Sequence, residues 1–223
     1  MRELRYTLLS DGSSDRALLP LLTWLLHEHT FELAIQSEWA DLRRLPTVPR
    51  TLADRIRKSI ELYPCDLLFV HRDAEREPHE ARRNEIRQAI EVVSTLTILP
   101  PVICVVPIRM QEAWLLFDEP ALRRVAGNPH GRMPLQLPRL TELENLPDPK
   151  ENLNELIREA SGLNSRRRKK IPVSMYAQRV LEFIEDFTPL RRLSAFNTLE
   201  DELKDILRAH GWLINVARDD KEG

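Results

Sequence analysis

The sequence is short of several residue types, and each shortage excludes a class of protein. It has only two cysteines, Cys65 and Cys104, and both lie beside or inside apolar strand-like segments, which suits buried thiols better than a disulfide or a zinc site. Six glycines in 223 residues, with 42% apolar and 30% charged residues, are typical of a folded, helix-rich protein rather than a disordered one. No apolar run approaches the length that spans a bilayer, so we expect no membrane partner.

An apolar segment over the first residues and an excess of charge of one sign are also missing. The first five residues lack the apolar segment of a signal peptide, so we expect a cytoplasmic protein. The formal net charge is −2, so binding to nucleic acid would need a local basic patch or a metal ion that neutralises phosphate. Nothing in the composition indicates an oligomeric state.

Short apolar segments that alternate with helical patterns predict an α/β fold with a mainly parallel sheet flanked by helices. The predicted strands cover residues 6–9, 31–35, 66–71 and 102–106. The helices that follow them are predicted to begin near residues 15, 51, 80 and 111. Pro20 lies about one turn inside the first helix, so that helix starts late or kinks there.

The pattern changes after Gly127, which predicts three regions along the chain. Residues 1–127 form the α/β core, and the Pro-rich residues 128–147 form a surface loop or linker. Residues 148–217 form a helical extension packed on the core. Its helices are predicted near residues 151–160, 174–187 and 199–208.

Carboxylates follow three of the four predicted strands. Asp11 follows the first strand, Asp73 and Glu75 follow the third, and Glu112 follows the fourth. Because the carboxyl ends of parallel strands meet at one edge of a sheet, we expect these side chains to lie close together. Like charges in close approach repel unless a cation lies among them, and carboxylate oxygens are ligands for Mg²⁺. The pattern predicts a divalent metal site, and the alternative is a solvated loop.

The two acidic motifs resemble those of the Toprim fold, which occurs in topoisomerases, primases and OLD-type nucleases. That family carries Glu-Gly-x-x-Asp after its first strand and Asp-x-Asp later in the chain. The corresponding segments here are Asp11-Gly12-Ser13-Ser14-Asp15 and Asp73-Ala74-Glu75. Aspartate therefore stands in place of the family's glutamate at position 11, and glutamate stands in place of its second aspartate at position 75.

Three later segments are similar to an OLD-related Toprim group, the DUF4276 family. They cover residues 109–116, 148–153 and 193–196. The likeness extends over most of residues 5–208. It implies a Mg²⁺- or Mn²⁺-dependent nuclease that acts on DNA or RNA and serves as an effector of bacterial antiviral defence, often with an ATPase partner. The alternative is a non-catalytic Toprim-fold partner subunit of an ATPase complex.

Chemistry and resemblance together assign roles to the acidic residues and to one lysine. The predicted catalytic residues are Asp11, Asp73, Glu75, Glu112 and Lys150. The predicted metal ligands are Asp11, Asp15, Asp73, Glu75 and Glu112. Asp15 suits an outer-shell position, or it simply stabilises the helix that follows through the helix dipole. Lys150 would place a positive charge on the scissile phosphate, or it is an ordinary solvated lysine.

Two residues near these motifs are interpreted as structural. His71 ends an apolar strand, which favours a buried structural role over that of a catalytic base. Trp114 is interpreted as a core residue rather than a base-stacking platform. The triplet His71-Arg72-Asp73 also occurs in protein kinases, but no Gly-rich loop or Asp-Phe-Gly follows, which excludes that class. A signalling receiver is excluded too, because two adjacent acids after the first strand are lacking.

A run of five basic residues predicts contact with nucleic acid. It consists of Arg166, Arg167, Arg168, Lys169 and Lys170. We predict a mobile segment near the acidic edge that contacts phosphates, since such contacts give affinity without sequence readout. The alternative is a solvated loop.

Overall fold

The four apolar segments form one parallel sheet in the computed structural model, which describes residues 2–30 and 33–213. The strands run in the order β2-β1-β3-β4. Their bounds are β1 Arg2–Leu9, β2 Leu33–Trp39, β3 Leu67–His71 and β4 Val102–Val105. The predicted α/β class with a parallel sheet flanked by helices is therefore confirmed.

The predicted bounds of β1 and β2 differ from the structure. Strand β1 begins four residues earlier than predicted, because it pairs with β2 from its first residue, with Arg2 opposite Leu33 and Leu8 opposite Trp39. Strand β2 lies further along the chain than predicted, and residues 31 and 32 are outside the described residues. It is an edge strand with an exposed Gln-Ser-Glu segment, so it lacks the continuous apolar pattern of a buried strand.

Helices cover both faces of the sheet. After a 3₁₀ turn at Ser14–Leu18, helix α1 has Pro20 in its first turn, where no backbone donor is needed. The helices α1 to α4 are Leu19–His29, Leu52–Leu62, His79–Ser94 and Glu119–Val125. The helices α5 to α8 are Pro149–Ala160, Ser165–Arg168, Val173–Ala177 and Ser194–Ala209.

Two predicted helices take other forms. The helix predicted to begin at Gln111 is a 3₁₀ helix, Gln111–Leu115, which places neighbouring Ala113, Trp114 and Leu115 in the core together. The helix predicted over residues 174–187 ends at Ala177 and is followed by a separate 3₁₀ turn, Val180–Glu182. The helices predicted at 151–160 and 199–208 are present as α5 and α8, each beginning a little earlier than predicted.

The sheet separates two hydrophobic clusters. Alternate residues of β3 point to opposite faces, so Phe69 joins the larger cluster and Val70 the smaller one. The smaller cluster is completed by α2 and α3, while the larger one is completed by α1, α4, α5 and α8. Cys104 is free and lies in the smaller cluster, where burial raises the pKa of its thiol to about 12.

The helical segment after residue 148 shares the larger cluster with the sheet. Trp114 is fully buried and packs edge-to-face on Phe196 of α8, with ring centroids 5.7 Å apart. The Pro-rich stretch 128–147 also contributes, since Leu143 in its 3₁₀ helix Leu140–Asn145 is fully buried in this cluster. Residues 214–217 of the predicted extension lie outside the described residues. No helix in the described part of the chain is both long and apolar enough to cross a bilayer.

Candidate active site

The strand order creates a crevice between β1 and β3. The chain leaves β1 for β2 on one side and reaches β3 on the other, so the carboxyl ends of β1 and β3 form the topological switch point of the sheet. Ligands of doubly wound α/β proteins bind at such points. The loop 10–15 after β1 and the loop 72–75 after β3 meet there.

A buried histidine lies between two carboxylates at this crevice. Nδ1 of His71 is 3.4 Å from Oδ2 of Asp15, and Nε2 is 3.4 Å from Oδ1 of Asp73. Burial alone would lower the pKa of His71, but the two carboxylates raise it to about 9. The two carboxylates therefore favour the imidazolium form of His71, and the residue is 2% exposed, which suits a structural ion better than a base that meets substrate.

Asp15 is held by a set of donors on its own loop and on the chain after β4. The backbone N–H of Gly12 donates to Oδ2 at 2.8 Å, while Ser14 Oγ and Gln111 Nε2 donate to Oδ1 at 3.0 and 2.8 Å. Burial would raise the pKa of Asp15, but the contact with His71 and the hydrogen bonds from Gly12 and Ser14 lower it. The carboxylate thus does more than favour the first turn of the following helix.

Asp73 is also held by Gln111, through the backbone of this residue rather than its side chain. Its Oδ1 accepts the backbone N–H of Gln111 at 2.8 Å. The loops after β3 and β4 are also joined through their backbones, since Ala74 N–H donates to the carbonyl of Pro107 at 3.0 Å. Sequence reasoning did not select Gln111, although it directly precedes Glu112 in the motif after the fourth strand. It links Asp15 and Asp73 into one unit.

Glu112 adds a third carboxylate, beside a small cavity. Burial raises its pKa, and the charges of Asp73 and Asp15 raise it further, while Lys150 acts in the opposite direction. Glu112 and Lys150 both line this cavity of about 70 Å³, together with Ser174 of α7. The structure therefore brings Asp15, Asp73, Glu112 and Lys150 to one place.

Asp11 lies at the same edge but is already neutralised. Its carboxylate forms ion pairs with Arg55 of α2 and with Arg72, whose Nε is 3.1 Å from Oδ2. Both partners carry a permanent positive charge. Asp11 is thus held by arginines and is not part of the group around His71.

Glu75 is exposed, and its backbone is in the left-handed region with φ 54°. Arg109, after β4, has φ 65°, and the two residues are joined by a hydrogen bond of 2.7 Å from Glu75 N–H to the Arg109 carbonyl. Each such residue costs about 1–2 kcal/mol. In the described part of the chain the Glu75 carboxylate has no ion-pair partner.

The basic run is a short helix followed by a turn. Residues 166–168 belong to α6, a helix of four residues, and residues 169 and 170 form the turn. Arg168 Nε donates to the carbonyl of Leu163 at 2.6 Å, and the other four side chains are exposed. Ser174 lies four residues after Lys170 and lines the same cavity as Glu112. The basic run is therefore followed closely in the sequence by a residue of that cavity.

Two of the five predicted metal ligands suit a Mg²⁺ site. Within residues 2–30 and 33–213, no three or more His, Cys, Asp or Glu side chains form a complete protein-built metal site. Mg²⁺ commonly uses only one or two carboxylates and keeps waters and substrate phosphates as its other ligands. Asp73 and Glu112 suit this role because the Asp73 side chain is partly exposed and Glu112 lies beside a cavity, within reach of the charge of Asp73. Asp11 and Asp15 fit less well, since Asp11 pairs with two arginines and Asp15 is more deeply buried, with hydrogen-bond donors on both of its oxygens.

Comparisons with known proteins identify no relative. The sequence matches no family model, no curated protein and no solved structure. The Toprim likeness therefore depends on the motifs quoted above.

Proposed function

We propose that the protein is a Mg²⁺-dependent nuclease of the Toprim/OLD type that hydrolyses phosphodiesters of DNA or RNA. One observation carries the proposal: Glu112 and Lys150 line one cavity at the edge of the sheet where β1 and β3 form the switch point, and the charge of Asp73 acts on Glu112 there. Hydrolysis of a phosphodiester needs ligands for a hard metal ion and a positive charge for the phosphoryl oxygens.

Each of these side chains has its own part in the proposed reaction. Asp73 and Glu112 would hold the Mg²⁺ or Mn²⁺ ion, which when bound polarises the phosphate and activates water. Lys150 stabilises the charge that develops on the phosphoryl oxygens. His71, Asp15 and Gln111 hold Asp73 in one orientation, which lowers the cost of arranging the ligands.

A second candidate is a non-catalytic partner subunit that retains the fold. The neutralised state of Asp11 favours it, because this residue stands where the Toprim motif has its glutamate. The ATPase partner and the role in antiviral defence come from the resemblance, and the cytoplasmic location from the sequence. We include them in the proposal on that basis.

A cleavage assay separates the two candidates. The full chain is incubated with duplex DNA, single-stranded DNA and RNA in Mg²⁺, in Mn²⁺ and in EDTA. We expect cleavage of at least one substrate with a divalent ion, none in EDTA, and a strong loss of cleavage in Glu112→Gln, which keeps the shape and removes the charge. Absence of cleavage on every substrate with both ions would contradict the nuclease and favour the partner subunit.

The basic run gives a second prediction for the same protein. Replacing residues 166–170 by Ser or Gln should weaken nucleic-acid binding and reduce the slope of log affinity against log salt by about one unit for each phosphate that the variant no longer neutralises. Binding isotherms at several salt concentrations measure this. Arg208→Gln is the control, since Arg208 pairs with Asp205 on α8. An unchanged slope in the variant of the run would mean that it does not touch the substrate.

A further inference from the structure

A second cavity, of about 180 Å³, lies beside the candidate active site at the carboxyl ends of β1 and β2. Its polar lining consists of Ser10, Asp11, Trp39, Arg43, Arg50 and Arg55. It shares no lining residue with the cavity of Glu112 and Lys150. The nuclease proposal assigns it no role.

The lining carries a surplus of positive charge in a chain whose net charge is −2. Three arginines face one carboxylate, and that carboxylate, Asp11, is shared with Arg72 from outside the lining. Asp41 stands near the rim and is divided between Arg43 at 3.1 Å and Arg44 at 3.0 Å. Arg50 has no carboxylate partner within the described residues. The cavity is therefore electrostatically complementary to an anion.

Two of the three arginines, Arg43 and Arg55, are held in place before any ligand arrives. The Arg43 guanidinium lies over the ring of Trp39, 5.1 Å from its centroid, and Trp39 Nε1 donates to Ser10 Oγ at 3.0 Å. Arg55 is fixed from α2 by the Ser10 carbonyl and by Asp11. Planar guanidinium groups with fixed orientation match the oxygens of a phosphate.

The size of the cavity indicates what kind of ligand it suits. Pockets that enclose a whole small molecule measure roughly 300–1,000 Å³, so 180 Å³ accommodates a phosphate group and its nearest atoms but not a complete nucleotide. A phosphate that belongs to a longer polymer fits this limit. The cavity lies next to the candidate active site along the loop 10–15, which places Asp11 in the cavity and Asp15 against His71.

We propose that the arginine-lined cavity binds a backbone phosphate of a nucleic acid strand, next to the phosphate that is cleaved. The inference rests on the proposed function, which it deepens by naming a contact that positions the strand. In this proposal Arg43 and Arg55 keep the positions that their present contacts give them. Arg50 adjusts its side chain to contact the phosphate.

Anisotropy of a labelled single-stranded oligonucleotide, as DNA and as RNA, tests this in EDTA, where binding is measured without cleavage. We expect Arg50→Gln to weaken binding about tenfold, as for the loss of one hydrogen bond to a charged group, and to reduce the salt slope by about 0.7 units. Arg50→Lys should restore part of the affinity. Arg57→Gln is the matched control, because Arg57 lies on the same helix as Arg55 but lines a groove at the opposite end of the sheet.

The outcomes separate this inference from the nuclease itself. Wild-type affinity and slope in Arg50→Gln, or no binding of the oligonucleotide by the wild-type protein, would overturn the inference. Inorganic phosphate is titrated by calorimetry as a second arm: if Arg50→Gln loses phosphate binding while oligonucleotide binding is unchanged, the cavity serves a free anion and the inference is wrong. If the Arg50 effect is present but no metal supports cleavage, the nuclease proposal fails and the strand contact stands.

Discussion

Replacing Asp73 by asparagine is expected to reduce the proposed cleavage of nucleic acid in saturating Mg²⁺ by about a thousandfold, or about 4 kcal/mol of transition-state stabilisation. The amide keeps the size of the side chain but loses the negative charge that a hard metal ion requires. Asparagine is preferable to alanine because its oxygen can still accept the backbone N–H of Gln111, which Asp73 accepts at 2.8 Å. The measurement is initial cleavage rate with a far-UV circular dichroism spectrum of the same preparation.

The matched control for this variant lies at the other end of the same strand. Asp66 directly precedes β3 and likewise accepts a backbone N–H, that of Arg5 at 2.9 Å, but at the amino-terminal edge of the sheet. We expect Asp66→Asn to cleave at close to the wild-type rate. Cleavage that persists in Asp73→Asn with the same dependence on Mg²⁺ would show that the reaction takes place elsewhere.

The fold is predictable where a segment is buried on both faces. All five residues of β3 are buried, which agrees with its short, unbroken apolar run. Its predicted bounds agree with the structure to within one residue. The sequence pattern places strand β2 too early because it is an edge strand with polar residues at its centre. The 3₁₀ helix at Gln111 is predicted as an α-helix, since an apolar run after a polar start does not distinguish the two.

The candidate site is predictable as an edge of the sheet but not as a set of contacts. Strand order explains why Asp11, Asp73 and Glu112 lie at the same edge. Strand order does not predict the ion pairs of Asp11 with Arg55 and Arg72, which are 44 and 61 residues away along the chain. These contacts depend on side chains from α2 and from the end of β3, whose directions local patterns do not specify.

Replacing His71 by alanine will lower the free energy of unfolding at neutral pH by about 3–5 kcal/mol, the largest stability effect that we predict. The change removes the cation that lies 3.4 Å from both carboxylates and leaves the buried Asp15 and the partly exposed Asp73 without it. Urea denaturation at fixed pH measures the effect. His29→Gln is the control, because its partner Glu200 keeps the ion pair with Arg191 at 2.8 Å, so we expect a much smaller loss.

The same ion gives the wild-type protein a stability that falls in alkaline solution. The pKa of His71 is raised from 6.5 in the unfolded chain to about 9 in the fold. The folded state therefore binds the proton more tightly, so the stabilisation is fully present below pH 6.5 and is lost as pH rises through about 9. The full loss is about 3 kcal/mol. The contribution of Asp15 to stability changes with pH in the opposite direction. Its pKa is lowered in the fold, so this contribution is present above the unfolded pKa of 3.8 and disappears as pH falls through the pKa of the folded state.

Urea denaturation of the wild type and of His71→Ala between about pH 6 and about pH 9.5 will show whether His71 is the cause. We expect the wild type to lose stability across this interval and the variant to show a flatter profile, so that the two curves approach each other at high pH. The two curves approach each other because neutral His71 no longer balances the charges of Asp15 and Asp73. Parallel curves would mean that another group titrates and that His71 is already neutral in the folded protein.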